Sequence, residues 1–250
     1  MSAAFRLTPE QYRILWTDLG LGGMPYPLDV PGTATSLRAD DLWSELGDAG
    51  DRLEGLLRLL GDHVLAVDVV ADQQGLVRGL SATDGTAGVL AVIRHDAVEL
   101  TAIDPAAVVP EVLGVLQNTK AGKGNPVSVR VTTMRAAEQC DEDDYEDDRP
   151  WGREPHAAER EVLARAGVAP SDAAVLSDLI NNRTAGGQLG VTCGAVRSPE
   201  VITWFDTRSG RYLVVSDDGW LKVTPAGNTH ITSRIDEIVS AAHKEGVRNV

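Results

Sequence analysis

Two glycine-rich stretches are the first residues whose types and spacing could do chemistry, because such loops cradle phosphate groups in nucleotide-binding proteins. Residues 20–23 (G-L-G-G) follow a predicted helix, whereas a dinucleotide-binding fingerprint follows a strand and opens a helix. Residues 122–124 (G-K-G) lack the Ser or Thr that follows the lysine of a phosphate-binding loop. Both stretches are therefore interpreted as turns, and no nucleotide or other cofactor is predicted.

Histidines, serines and cysteines give no pattern typical of a metal site or a nucleophile. No serine lies in the G-x-S-x-G motif of a nucleophile elbow. Cys193 alternates with apolar neighbours in V-T-C-G-A, which predicts a buried structural thiol in a strand, and Cys140 adjoins an acidic run. The sequence therefore predicts no metal and no enzyme. The histidines, none at ligand spacing from another, are His63, His95, His156, His230 and His243.

The acidic run 138–149, E-Q-C-D-E-D-D-Y-E-D-D-R, could bind Ca²⁺, but it lacks the spacing and the central glycine of an EF-hand loop. Mutual repulsion of its carboxylates predicts a mobile, solvated segment. A second interpretation is electrostatic steering of a less acidic partner, and the role of residues 141–148 stays open. The formal net charge of the chain is −14, which disfavours nucleic acids and anionic membranes as partners.

Aromatic side chains make up only 4% of the chain, and a large share of them are Trp204, Phe205, Tyr212 and Trp220. In an alternating strand, Trp204 and Phe205 must face opposite sides of a sheet. Two interpretations stay open for Trp204, Arg211 and Trp220. Each could pack in the core, or each could be exposed as a partner-binding residue, since Trp, Tyr and Arg are enriched at interfaces.

The elements that must position these residues begin with a helix that carries a capping box, with Thr8 at the N-cap, Pro9 at the first position and Gln11 three residues after the cap. A second helical region is predicted over residues 37–60, broken near Gly47 or Gly50. Apolar residues then change to strand spacing. The first half is predicted to contain a four-stranded meander (63–70, 76–82, 87–94 and 97–103) and a helix from about 104 to 117.

The second half repeats this order of elements without evident residue identity. Residues 118–126 read as a linker, and 127–134 as a strand. Halves at about 1–126 and 127–250 are therefore predicted to form one quasi-symmetric domain over residues 1–250. The remaining predictions are helices at 155–166 and 171–181, strands at 188–195, 200–206, 211–216 and 220–224, and a closing helix at 228–244.

Two stretches resemble one known family. Residues 7–31, L-T-P-E-Q-Y-R-I-L-W-T-D-L-G-L-G-G-M-P-Y-P-L-D-V-P, resemble the opening of the EspG family, the cytosolic substrate adaptors of actinobacterial type VII (ESX) secretion. Residues 205–223, F-D-T-R-S-G-R-Y-L-V-V-S-D-D-G-W-L-K-V, resemble its C-terminal hairpins. The resemblance implies an α+β, quasi-twofold fold. Its central antiparallel sheet is built from two β-meanders and flanked by N- and C-terminal helical bundles.

The resemblance also implies a function without a catalytic step. A member of this family is expected to bind the helical tip of a PE–PPE substrate heterodimer in a 1:1 complex, to keep that dimer soluble and to deliver it to the secretion machinery. One sheet face, the C-terminal bundle and a turn between early strands should form the contact. That turn is D-Q-Q-G at 72–75, which makes Gln73 and Gln74 candidates. The sequence departs from the family pattern at 36–38 (S-L-R).

A second function class is an acidic cytosolic immunity protein that neutralises a basic toxin, which the net charge suggests. A charge-led complex of that kind should weaken as salt rises, whereas capture of an apolar tip should not. The sequence shows no secretory signal and no membrane-spanning run, so a cytoplasmic protein is expected. The free protein is expected to be able to form a homodimer through an apolar binding face.

Overall fold

A computed structural model of the protein describes residues 4–32, 35–143 and 156–248. The chain divides into two compact units. The first contains Met1–Asn118, Gly187–Val201 and Thr232–Val250, and the second contains Thr119–Gly186 and Ile202–Ile231. The first break follows residue 118, close to the predicted limit between the two sequence halves. A single quasi-symmetric domain stays a prediction.

Three helices precede the meander in the first unit, in the regions predicted to be helical. Helix α1 (Pro9–Asp18) starts at the capping box. The Gln11 amide donates to Thr8 Oγ1 at 3.1 Å, and the Thr8 amide donates to Gln11 Oε1 at 2.9 Å. Helices α2 (Ala39–Leu46) and α3 (Gly50–Gly61) are separated by a 3₁₀ turn at Gly47–Ala49, which confirms the predicted break.

The predicted meander of the first unit is present. Its strands pair in the order β1-β5-β4-β3-β2, and β1, which the sequence analysis missed, pairs with β5. A 3₁₀ turn at Pro105–Ala107, capped by Asp104, leads into α4 (Val108–Gly114), so the helix ends earlier than predicted. The strands are β1 (Ala4–Leu7), β2 (Leu65–Asp72), β3 (Leu76–Thr83), β4 (Gly88–Arg94) and β5 (Ala97–Ile103).

The core of the first unit is aliphatic, as the low aromatic content requires. Side chains of α1, α2 and α3 pack against one face of the meander, and α4 packs on β2 and β3. Burial of such side chains contributes about 1.5–3 kcal/mol for each large residue, so this layer contributes strongly to the unit's stability. Fully buried members include Leu15, Trp16, Leu28, Leu53, Leu57, Leu60 and Leu100.

The proline-rich stretch after α1 is fixed to the first unit by arginines. Arg78 Nη1 donates to the carbonyl oxygens of Pro27 at 3.2 Å and Asp29 at 2.6 Å. The Leu28 side chain between them is buried, and the Arg197 guanidinium lies 5.1 Å from the centre of the Tyr26 ring. The family-like motif P-Y-P-L-D-V-P therefore serves as an ordered strap across this unit.

The second unit contains the C-terminal meander. Its strands pair in the order β9-β10-β11-β6. Helices α5, α6 and α7 accompany them. The last helix, α8 (Asn228–Arg248), begins in this unit, and its residues from Thr232 onward belong to the first unit. Here the strands are β6 (Val127–Arg130), β9 (Ile202–Thr207), β10 (Gly210–Asp217) and β11 (Trp220–Pro225), and the helices are α5 (Val131–Asp143), α6 (Ala157–Arg165) and α7 (Pro170–Asn181).

The remaining strands begin at the end of Thr119–Gly186 of the second unit and continue into Gly187–Val201 of the first unit. They are β7 (Arg183–Cys193) and the short β8 (Val196–Arg197), which pairs with it. The fold contains a large antiparallel sheet with several helices, which confirms the predicted α+β class. The quasi-twofold relation between the meanders stays a prediction.

The strand predicted at 127–134 was wrong beyond Arg130. Arg130 pairs with Trp220, the first residue of β11, so β11 offers no partner to later residues. The Val131 amide instead donates to the Gly219 carbonyl at 3.0 Å, and α5 begins there. The acidic run 138–149 was predicted to be a mobile, solvated segment, which was wrong for its first residues because α5 continues to Asp143. Residues 144–155 lie outside the described part of the chain.

The stretch at 118–126 is not a free linker. The Arg211 amide donates to the Lys120 carbonyl, and the Gly122 amide donates to the Arg211 carbonyl, each at 2.8 Å. The Tyr212 hydroxyl is bonded to the backbone of Lys123 at 3.0 Å. A Cβ at Gly122 would stand 2.2 Å from the Tyr212 ring, so only glycine allows this close packing.

Candidate functional site

A metal site finds no support among the described residues, and Cys193 is not an activated thiol. Among residues 4–32, 35–143 and 156–248, no group of three His, Cys, Asp or Glu side chains could hold a metal ion. Cys193, at the end of β7, is half-buried rather than fully buried as predicted, and burial raises the pKa of its thiol. A thiol with a raised pKa is a poor nucleophile.

The glycine stretch at 20–23 follows the end of α1. Gly20 and Gly22 have φ values of +64° and +77°, which glycine adopts readily. The indole Nε1 of Trp16 donates to the Gly22 carbonyl at 3.0 Å. The stretch is therefore a helix-terminating turn, as the sequence analysis interpreted it.

Trp204 and Arg211 are core residues of the second unit, which is the first of the two predicted alternatives. Both side chains are fully buried. Arg211 is paired with Asp206 on the neighbouring strand and lies over the Trp204 ring, 4.5 Å from its centre. A partner could not contact either side chain in this conformation.

Further polar groups of the same unit form hydrogen bonds with the Arg211–Asp206 ion pair. Arg211 Nη1 donates to Asn228 Oδ1 at 2.6 Å, and the Thr119 hydroxyl donates to Asp206 Oδ2 at 2.8 Å. Thr184 Oγ1 donates to the Asp206 carbonyl at 3.2 Å. Buried charges are tolerated when their hydrogen-bonding capacity is satisfied in this way, so the network holds β9 and β10 in register.

Alternation along β9, β10 and β11 divides this sheet into two faces. Phe205 and Tyr212 are cross-strand neighbours on one face, and both pack with α6 and α7 side chains in one cluster. Trp204 points the other way, as predicted. The helices therefore cover the Phe205 face. Other members of its cluster are Val127, Val129, Leu163, Leu176 and Val223.

The opposite face becomes exposed towards the β10–β11 turn. Val215 pairs with Lys222, Lys222 pairs with Ser128, and Trp220 pairs with Arg130, so all five side chains share this face. Val215 is 41% exposed and Trp220 is 42% exposed. We call this surface the open face; its residues are Ser128, Arg130, Val215, Trp220 and Lys222.

Trp220 and Arg130 form the edge of the open face. The Arg130 guanidinium lies 4.7 Å from the centre of the Trp220 ring, a distance typical of a cation–π contact. The contact limits the freedom of both long side chains, which lowers the entropy cost of binding a partner. The open face thus presents an aromatic ring, an aliphatic side chain and two cations on three neighbouring strands, β10, β11 and β6, with the exposed Asp217 carboxylate beside Trp220.

The turn at 72–75 in the first unit holds the other predicted partner-binding residues. Gln73 Nε2 donates to the Val115 carbonyl at 3.2 Å, and Gln73 Oε1 accepts from the Gln117 amide at 2.7 Å. Gln73 therefore ties the turn to the end of α4. Gln74 is exposed with φ +63°, and Leu76 beside it is 60% exposed.

Sequence reasoning missed Arg130, Val215 and Lys222. Alternation places Val215 on the face opposite Val214, but both residues are apolar, so the pattern did not show which face the helices cover. The signal was in β11, where W-L-K-V alternates between exposed and covered positions.

In the described part of the chain, no helix is both long enough and apolar enough to cross a bilayer.

The fold and these surfaces define an α+β protein with a large antiparallel sheet and, among its described residues, no His, Cys, Asp or Glu cluster that could hold a metal ion. The EspG family model matches residues 8–237, so the chain belongs to the EspG family. Its fold is similar to that of the Mycobacterium tuberculosis type VII secretion system chaperone EspG5, solved in complex with a PE25–PPE41 dimer. That likeness has a TM-score of 0.69 at 14% identity and covers 95% of this chain and 96% of EspG5. No curated protein matches the sequence.

Proposed function

We propose that this protein is a cytoplasmic chaperone for type VII secretion substrates, which binds a helical PE–PPE-like dimer in a 1:1 complex and catalyses no reaction. The observation that carries the proposal is membership of the EspG family over residues 8–237. The fold shared with EspG5, whose structure contains a PE25–PPE41 dimer, supports it.

The open face is the proposed contact surface of the second unit. Its Trp220 and Val215 offer apolar area, while Arg130 and Lys222 offer cations at its margin, a composition typical of protein interfaces. A helical tip that exposes apolar side chains would lose that area from water on binding. Trp204 and Arg211 take part indirectly, because their buried network sets the positions of β9 and β10.

Gln74 and Leu76 are the proposed contacts of the first unit. Gln73 has a positioning role, since both ends of its amide are bonded to the backbone after α4. A contact through this turn uses side chains that are already exposed and ordered, so little conformational entropy is lost.

Co-expression with a PE–PPE-like pair from the same genome tests the proposal. Light scattering after size-exclusion chromatography should give the mass of one chaperone with one substrate dimer, and the substrate should stay soluble. The free protein is measured alongside, because an apolar contact surface can also support a homodimer. Substrates that stay soluble alone and never co-elute with the protein would contradict the proposal.

A further inference from the structure

A cavity of about 520 Å³ lies in the first unit, at the end of the meander next to α3. Small-molecule sites in proteins have volumes of roughly 300–1,000 Å³ and mostly apolar walls. The cavity has such walls and opens among exposed residues of α3 and of the β3–β4 turn. The apolar residues that line it are Phe5, Leu56, Leu59, Ala87 and Ala102.

Gly55 contributes to the cavity by lacking a side chain. It lies inside α3, where glycine is the least favourable residue apart from proline. Its φ is not positive, and a Cβ at this position would meet no atom within 4 Å. Neither the backbone conformation nor close packing therefore requires a glycine here. The space that it leaves belongs to the cavity.

Four charged side chains lie at the opening of the cavity, which we call its mouth, and they differ in whether an oppositely charged or hydrogen-bonding group pairs with them. Arg58 is paired with Glu54 at 2.8 Å, and the Asp84 carboxylate accepts hydrogen bonds from the amides of its own turn. In the described part of the chain Arg52 contacts no carboxylate. Its guanidinium lies 6.0 Å from the centre of the Phe5 ring.

The remaining mouth residue, Asp62, is separated from Arg52 along α3. Ten residues of helix span about 15 Å, so the Arg52 end of the mouth is positive and distinct from the Asp62 end. An apolar body in the cavity would bring an attached anion within reach of Arg52 while keeping it away from Asp62.

We propose that this cavity binds a small amphiphile with an apolar body and one carboxylate or similar anionic group, which pairs with Arg52. This ligand site goes beyond the chaperone function, since it lies in the first unit and shares no residue with the open face or the turn at 72–75.

The test is a fluorescence titration of the full-length protein with two probes of similar size. One is 1-anilinonaphthalene-8-sulfonate, which carries an anion, and the other is the neutral N-phenyl-1-naphthylamine. Gly55→Leu should weaken the binding of both probes by about tenfold or more, because the leucine side chain fills the cavity. Gly114→Leu is the matched control, since Gly114 is also helical with open space at its Cβ and should leave binding unchanged.

Arg52→Gln separates the charge from the cavity. It should weaken the anionic probe by about tenfold, the effect of losing roughly 1.4 kcal/mol, and leave the neutral probe unchanged. Decanoate should displace the anionic probe from the unsubstituted protein. Equal binding to the Gly55→Leu and Gly114→Leu variants would overturn the cavity as the site. If Arg52→Gln weakened binding of both probes equally, the proposal that Arg52 pairs with an anionic group of the ligand would be overturned.

Discussion

Arg211 and Asp206 form a two-point ion pair inside the second unit. Arg211 Nε lies 2.7 Å from Asp206 Oδ1, and Nη2 lies 2.8 Å from Oδ2. The two residues are direct cross-strand neighbours on β10 and β9. Since both side chains are buried, each charge depends on the other for the favourable contacts that it would otherwise make with water.

Removal of one partner should therefore destabilise the protein strongly. We expect Arg211→Met to lower the free energy of unfolding by about 3–5 kcal/mol, since it leaves the Asp206 carboxylate buried without a counter-ion. Urea denaturation measures the change. Arg6→Met is the control, because the Arg6–Glu99 pair spans a similar 2.9 Å with side chains 73% and 49% exposed. Exposed pairs contribute about 0–1 kcal/mol. Similar losses in the two variants would contradict the role assigned to burial.

The turn between β3 and β4 should give a pH-dependent contribution to stability. Hydrogen bonds from the amides of Ala87 and Thr86, and from the Thr86 hydroxyl, hold the pKa of the Asp84 carboxyl below its usual value of 3.8. A folded-state pKa below the unfolded value means that the carboxylate stabilises the fold above pH 3.8 and loses this effect as pH falls through the folded pKa.

Asp84→Ala should accordingly lower Tm at pH 7, and the difference from the unsubstituted protein should shrink below pH 3.8. Thermal unfolding followed by circular dichroism at both pH values measures the two differences. Asp96→Ala, in the β4–β5 turn, controls for the general effect of losing one surface carboxylate. If the Tm difference stayed constant down to acid pH, the hydrogen bonds to Asp84 would stabilise its protonated and ionised forms equally, which would contradict the prediction.

Gly55→Ala should stabilise the protein. Alanine is favoured over glycine inside a helix by about 0.5–1 kcal/mol, and the added methyl group at position 55 meets no atom within 4 Å. Gly20→Ala should have the opposite effect, because Gly20 has φ +64°, a conformation that costs alanine free energy. Thermal unfolding of the two variants shows whether Tm rises in Gly55→Ala and falls in Gly20→Ala. A loss of stability in Gly55→Ala would mean that glycine at this position is required by the fold itself.

Local signals predicted most of the fold. The capping box at Thr8 and the turn glycines fix elements within a few residues of chain, so α1 and the strands of the first meander were predicted to within a few residues. The limits of β6 could not be predicted, because they depend on how far β11 extends as its partner. β1 was missed because four residues gain strand structure only through pairing with distant β5.

The candidate site was less predictable than the fold. Aromatic and arginine side chains suit interfaces and cores equally, so the sequence left Trp204, Arg211 and Trp220 with both interpretations. Burial separates them in the structure, because α6 and α7 cover one face of the second unit's sheet and the Asp206 network holds Arg211 inside. In β9 and β10 both faces carry apolar residues, so the alternation of these strands alone did not show which face the helices cover.

Substitutions on the open face test the proposed contact surface most directly. Trp220→Ala removes its largest apolar side chain, and Val215→Asp places a charge where a helical tip would pack. We expect each to weaken binding of a PE–PPE-like dimer by about 30-fold, which corresponds to roughly 2 kcal/mol for an interface hot spot. Isothermal titration calorimetry with the purified dimer measures the change in Kd.

Val64→Asp is the matched control for Val215→Asp. Val64 lies in the first unit next to β2 and is 58% exposed, against 41% for Val215, so both changes put a carboxylate at an exposed valine. The control should alter Kd by no more than about twofold, since surface changes away from a contact are usually within 0.5 kcal/mol. Unchanged Tm values in all three variants would show that folding is intact. Equal weakening by Val64→Asp and Val215→Asp would reflect added negative charge alone, and the contact surface would then have to lie elsewhere.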